Sequence, residues 1–119
     1  PINVFKGNIA GGKLYIGDAA VLDVKGAPDG DVTVGIRPEG FNLDENGAFV
    51  CNLSNVEVMG RDVSVVSTHE ASRNPVVRSI ISSDAKIDMA NKEVKYSLKP
   101  HKVYIFDAAT EERIRFEVN

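Results

Sequence analysis

The sequence predicts an all-β domain, and three observations carry that expectation. Apolar residues alternate with polar ones at period two over most of the chain, the pattern of half-buried strands. Turn formers, AGGK (10–13), KGAPDGD (25–31), DENG (44–47), SRNP (72–75) and SSDAK (82–86), recur at roughly ten- to fifteen-residue intervals, the rhythm of a sandwich or barrel. With 119 residues, 43% hydrophobic and 26% charged, the chain has the size and composition of one ordinary domain with its own core. No stretch approaches the roughly 18 consecutive apolar residues of a membrane helix.

The first element is a hairpin. NVFKGNI (3–9) and KLYI (13–16) are strands joined through Gly11 and Gly12, which tolerate the positive φ of a tight turn. The same stretch, GNIAGGKL (7–14), comes within one residue of the phosphate-cradling loop G-x-x-x-x-G-K-[ST], with Leu14 where the Mg²⁺-holding hydroxyl belongs. A phosphate loop also needs a helix directly behind it. The residues in that place, KLYIGDAAVLDV, alternate as a strand does, so the glycines are assigned to the turn. Next comes VTVGI (32–36), which Pro38 stops, because its ring fixes φ and removes the ladder N–H. AFVCNLSNVEVM (48–59), DVSVVS (62–67), PVVRSIIS (75–82), EVKYSLK (93–99), KVYIF (102–106) and RIRFEV (113–118) complete the strand set. Only SSDAKIDMANKE (82–93) and DAATEER (107–113) have helical character, and both are short enough to be turns.

Enzymatic and metal-binding signatures are missing. His69 and His101 are far apart and have no second histidine or cysteine at ligand spacing. No serine sits in a G-x-S-x-G elbow. Cys51, the only cysteine, lies within apolar alternation and reads as a small core hydrophobe; it forbids an internal disulfide and fits a reducing compartment. DGD (29–31) and DEN (44–46) lack the twelve-residue calcium-loop pattern. The net charge is −3, but residues 71–103 hold seven Lys/Arg against three Asp/Glu, a local excess that reads as solvated strand faces or a patch for an acidic partner. Nucleic acid is not expected as that partner, because Tyr96 is the segment's only aromatic residue.

Two segments are specific. VTVGIRPEGF (32–41) resembles the G-[IV]-R-P-E signature of the C-terminal TOBE domain in carbohydrate-importing ABC transporter ATPases of the maltose and glycerol-3-phosphate importer type. EVKYSLKPHKVYIFDAATEERI (93–114) resembles that family's closing pattern of a strand, a proline, xxVHLFD and an xxTGxRI turn. NVFKGNIAGGKLYIG is similar to the opening strand of the domain, and NVEVMGRDVSVVSTHE to its central hairpin, so the resemblance spans nearly the whole chain.

The resemblance implies one domain over residues 1–119, a small OB-like β-barrel with additional strands, cut from the C-terminal end of a longer ATP-binding subunit. The opening residue, Pro1, fits that expectation. It implies a non-catalytic role in regulation and dimerisation, with no cofactor in this piece, since ATP and Mg²⁺ would bind upstream. The implied partners are the upstream ATPase domain, a second copy of the subunit, the transporter's membrane subunits through the parent and a regulatory protein. The implied location is cytoplasmic, at the inner face of the cell membrane. Among the motif residues Gly35, Ile36, Arg37, Pro38 and Glu39, Gly35 permits close approach and Pro38 makes a rigid corner. Arg37 and Glu39 either brace that corner or meet another domain. Phe106 is expected buried beside the sheet, where truncation to alanine costs about 3–5 kcal/mol, and Asp107 is expected to cap a turn. Asn91 is placed to take a left-handed turn where relatives carry glycine. The alternative function is binding of a small oxyanion or sugar at a domain or dimer interface, with Ser72, Arg73 and Arg78 as candidate ligands.

Overall fold

Period-two alternation of β-branched and aromatic residues builds eleven strands in the computed structural model, which describes residues 2–82 and 84–117. Pro1, and Ser83 within one of the two stretches of helical character, lie outside the described residues. The strands are β1 (Asn3–Ala10), β2 (Lys13–Ile16), β3 (Ala19–Asp23), β4 (Gly30–Ile36), β5 (Phe41–Leu43), β6 (Phe49–Met59), β7 (Asp62–Thr68), β8 (Val77–Ser82), β9 (Glu93–Leu98), β10 (Val103–Asp107) and β11 (Arg113–Ile114). They form a six-stranded sheet in the order β11-β10-β4-β1-β2-β3 and a five-stranded sheet in the order β5-β9-β6-β7-β8. The edge strands β5 and β8 of the second sheet pack against each other, so it curls into a nearly closed barrel. The fold is all-β, an OB-like barrel with additional strands.

The β1–β2 connection is a two-residue turn. Ala10 pairs with Lys13, and Gly11 and Gly12 adopt φ of 59° and 76°. Successive positive φ values match the type I′ turn, whose twist suits a hairpin. Lys13 opens β2 rather than a helix, and its ammonium pairs with Asp23 across β2–β3 at 2.8 Å. Among the described residues, neither stretch of helical character forms a helix. Ala85 N–H bonds the Ser82 carbonyl, Asp88 caps the bend at residues 88–91, and Asp107 does the same at residues 107–110.

The sheets share one core. Phe5, Phe41, Phe49 and Tyr96 are at most 1% exposed and pack in a chain of ring contacts: 5.2 Å between Phe5 and Phe49, 5.9 Å between Phe49 and Phe41, and 4.9 Å between Phe41 and Tyr96. Val32, Val34 and Ile36 of β4 meet this cluster from the six-stranded sheet. Two polar devices join the sheets. The buried Asn3 amide donates to the carbonyls of Ile36 (3.0 Å) and Arg78 (2.8 Å), and its oxygen accepts the Arg78 N–H (2.9 Å), tying β1 and β4 to β8. Residues 69–76 form a strap along β1, through Lys6 N–H to the Ala71 carbonyl, Arg73 N–H to the Val4 carbonyl, and Val4 N–H to Asn74 Oδ1. His69 anchors the strap: its Nδ1 accepts the Ala71 N–H at 3.0 Å while its ring stands edge-on to Phe5 and Phe49. Burial holds this imidazole below its usual pKa, hence neutral.

β6 outruns its neighbour β9. It pairs with β9 only from Phe49 to Asn52, and Leu53 N–H reaches the Lys92 carbonyl. From there to Met59 only β7 accompanies it, and Val58 and Met59 at the tip are 75% and 60% exposed.

Inside the barrel, the Tyr96 hydroxyl and Ser79 Oγ form a 2.7 Å hydrogen bond with both residues fully buried. Burial pushes the Tyr96 phenol up to about 12 and the Cys51 thiol up to about 11, so both stay protonated and Cys51 is no nucleophile. Ser79→Ala removes the 2.7 Å partner of the Tyr96 hydroxyl, and Tyr96→Phe removes that of Ser79; each is expected to cost about 1–3 kcal/mol in urea unfolding. The double variant should recover part of that loss, and strictly additive losses would show that the pair is not coupled.

Candidate functional site

Two stretches of chain cross between the sheets side by side. β4 leaves through Arg37, in extended conformation (φ −67°, ψ 150°), into a 3₁₀ turn at Pro38–Gly40 that leads to β5. β9 leaves through Lys99 (φ −85°, ψ 111°) into a 3₁₀ turn at Pro100–Lys102 that leads to β10. Each proline keeps the residue before it extended and opens the turn, where its missing N–H costs nothing. The corners bind each other reciprocally. Arg37 N–H donates to the Lys102 carbonyl (3.2 Å), and Lys99 N–H donates to the Gly40 carbonyl (2.8 Å). Ile36 pairs with Val103 on one side and Phe41 with Leu98 on the other. Approach is close enough that a Cβ on Gly40 would stand 2.8 Å from Lys102 Cβ, so glycine is the residue that fits. Glu39 completes the junction: Lys99 Nζ donates to its carbonyl at 3.0 Å, and Lys102 Nζ lies 3.9 Å from its carboxylate.

The outer face of the six-stranded sheet beside this junction is organised in rows. Register places Val4, Gly35 and Tyr104 abreast, then Lys6, Thr33, Phe106 and Arg113. Because Gly35 has no side chain, Ile2 settles over it, and the face dips beside the two. The depression holds about 260 Å³ between Ile2, Val4, Phe106 and Tyr104. Arg37 Nε donates to the Tyr104 hydroxyl at 3.2 Å, and the guanidinium carbons of Arg37 and Arg113 lie 5.3 and 5.0 Å from the Tyr104 ring centre, within cation–π distance. The Arg37 hydrogen bond lowers the Tyr104 pKa, and the nearby charges of Arg37, Lys102 and Arg113 act the same way.

The motif residues divide by face. Ile36 is fully buried in the core, and Pro38 forms the corner. A Cβ at Gly35 would meet Ile2 Cδ1 at 2.8 Å. Phe106 departs from expectation: it is half-buried on the outer face. Strand alternation is the reason, since Val103 and Ile105 take the inward positions of β10 and leave Tyr104 and Phe106 outward. Asp107 caps the following turn. Its Oδ1 accepts the N–H groups of Ala109 and Thr110, each at 2.9 Å, and the Thr110 bond, followed by the Ala109 bond, holds the carboxyl below its usual pKa. The same turn contains Glu111 at φ 65°, the left-handed position within it, with Glu111 N–H bonded to the Asp107 carbonyl. Asn91 does not take such a conformation; Asp88 shapes its bend instead, through bonds from the N–H groups of Ala90 and Asn91.

Ser72, Arg73 and Arg78 sit in or beside the strap. The N–H groups of Ser72, Arg73 and Asn74 are engaged with the His69 carbonyl, the Val4 carbonyl and Ser72 Oγ, and the Arg78 N–H with Asn3. No free cluster of N–H donors remains among them to cradle an anion, and these residues line neither the dip at Gly35 nor a larger depression on the other sheet. That larger depression, about 930 Å³, opens between residues 86–92 and strands β5, β6 and β9. Its rim intersperses Lys86, Lys92 and Lys95 with Glu45, Asp88 and Glu93, and selects no charge. Among the described residues no cluster of His, Cys, Asp and Glu could hold a metal, and no helix is long and apolar enough to cross a membrane.

Sequence reasoning missed Tyr104, Arg113 and Asn3. The rows that unite the first two with Arg37 depend on β4–β10–β11 pairing, which no local pattern reveals; Asn3 opens a strand where asparagine is unremarkable. The chain matches no protein-family profile and no curated protein sequence.

Two substitutions test this geometry. Phe106→Ala, on the outer face, is expected to cost about 1–2 kcal/mol, against about 3–5 for Phe49→Ala in the core; equal losses would place Phe106 in the core after all. Glu111→Gly relieves a left-handed side-chain clash and is expected to raise stability by up to about 1 kcal/mol in thermal unfolding. A loss would show that this backbone carries no strain.

Proposed function

We propose that this chain is the C-terminal regulatory and dimerisation domain, of TOBE type, of the ATP-binding subunit of an ABC importer for sugars or related solutes. The observation that carries this reading is the adjacency of the two stretches that resemble the family. Residues 32–41 and 93–114, far apart in sequence, meet at the paired proline corners and continue side by side as β4 and β10. A signature split over two segments makes physical sense when the segments form one junction. A second support is local: in the pattern xxTGxRI the glycine position falls on Glu111, and that residue has the left-handed φ that glycine adopts most easily.

In this reading the domain hydrolyses nothing itself. ATP and Mg²⁺ bind in the domain upstream, at a phosphate loop that residues 7–14, a hairpin, do not provide. The domain's surfaces serve the ATPase domain, a second copy of the subunit and a regulatory protein, and it reaches the membrane subunits through its parent at the cytoplasmic face. Arg37 and Glu39 fix the junction through their main chains. The Arg37 side chain is exposed and free to meet a neighbour.

The gene segment preceding the codon for Pro1 tests the reading. It is expected to encode, in frame, a phosphate loop ending in Lys-Ser or Lys-Thr and an ABC signature; a stop codon or an unrelated domain there would overturn it. The 119-residue chain is expected to show no ATP turnover, and turnover that survives repurification would overturn the non-catalytic assignment.

A further inference from the structure

We propose that the outer face of the six-stranded sheet around Gly35 docks an acidic segment of another protein, one apolar side chain seated between Ile2, Val4 and Phe106 and flanking carboxylates on Arg37 and Arg113. This goes beyond the transporter reading and does not rest on it.

The floor is apolar and sized for one side chain. The depression holds about 260 Å³, and Ile2 at its edge, lying over Gly35, is 39% exposed. Around it the rim is cationic, with Lys6, Arg37, Lys102 and Arg113. The acidic groups nearby are mostly engaged by other partners, though the charge of Glu39 is felt by Arg37. Glu39 faces Lys102, Asp31 accepts from the Asn8 amide at 3.0 Å, and Asp107 is held by its own turn. Among the described residues, neither Arg37 nor Arg113 forms an ion pair. Both guanidiniums are held against the Tyr104 ring, and Arg37 binds the ring hydroxyl through Nε, which leaves its terminal N–H fork for a carboxylate. Restrained arginines beside tyrosine and phenylalanine, next to an apolar seat, have the composition of an interaction hot spot.

A polypeptide fits this face better than a lipid surface or a nucleic acid. Lipid headgroups are gathered by denser clusters of cations on a flat or protruding surface, whereas here two guanidiniums share one tyrosine ring beside a small dip. Nucleic acid demands a cationic track with several stacking rings. An acidic peptide with one apolar anchor satisfies both the seat and the rim.

The test is an NMR titration of the isotope-labelled 119-residue chain with the blocked peptide Glu-Glu-Leu-Glu-Glu, beside its counterpart Glu-Glu-Gly-Glu-Glu. The leucine peptide is expected to shift amides of Ile2, Val4, Gly35, Arg37, Tyr104 and Phe106, weakening as salt rises. The glycine peptide should bind about tenfold more weakly, the loss of one buried aliphatic side chain. Arg37→Glu with Arg113→Glu should abolish the shifts, and Arg37→Gln with Arg113→Gln should weaken them. Retained spectral dispersion checks folding, and the milder pair serves if the charge reversal unfolds the chain. The proposal is overturned if millimolar peptide leaves these amides unmoved, if both peptides bind equally, or if both arginine pairs are without effect. It is also overturned if phosphatidylserine vesicles, and not the peptide, shift this face.

Discussion

Two backbone hydrogen bonds, from Arg37 to Lys102 and from Lys99 to Gly40, hold the two chain crossings together, and the rest of the molecule is arranged around that junction. Each crossing hands a strand from one sheet to the other, so β4 and β10 can neighbour each other only because β5 and β9 do. The prolines make this possible by enforcing extended backbone before each turn and by removing an N–H that has no ladder partner. Asn3 and the strap at 69–76 tie β1 and β4 to β8 and its lead-in, through side-chain bonds of Asn3 and Asn74 and backbone pairs along β1. The aromatic chain from Phe5 to Tyr96 then fills a space whose walls are already set.

Much of this architecture is legible in the sequence because β-structure writes itself at period two. VTVGI and EVKYSLK alternate cleanly and fold as the alternation says, and Gly11-Gly12 can only be a turn once strands flank it. Legibility fails where pairing, not pattern, decides. Phe106 is as apolar as Ile105, yet strand parity sends it outward, and its neighbours Tyr104, Arg37 and Arg113 become a cluster only through register. Short elements fail for a different reason: β5 has three residues and β11 two, too few to show a period. The helical character of residues 82–93 and 107–113 comes from helix-tolerant residues that aspartate side chains draw into caps and bends instead.

The inner and outer faces of the six-stranded sheet therefore divide the labour. Inward residues, Val32, Val34 and Ile36 among them, are interchangeable in kind with those of any tight β core. The outward rows carry individuality, because Gly35 removes a side chain where its neighbours are large, and because Tyr104 gathers two arginines that form no ion pair among the described residues. The TOBE-type proposal concerns the junction, and the docking proposal concerns this face. They share Arg37, whose main chain belongs to one and whose side chain belongs to the other.

The overhanging half of β6 has its own consequence. Beyond Leu53 its outer backbone groups pair with no strand among the described residues, and exposed Val58 and Met59 lead into the Gly60–Arg61 turn, with Glu57 the one charged residue of β6. An unpaired ladder beside two exposed apolar side chains is a template for sheet-to-sheet stacking between molecules, guarded here only by the charges of Arg61 and Asp62 at the turn. When the protein is concentrated, clumping will start at this hairpin, and a lysine in place of Val58 is the change that would keep solutions clear.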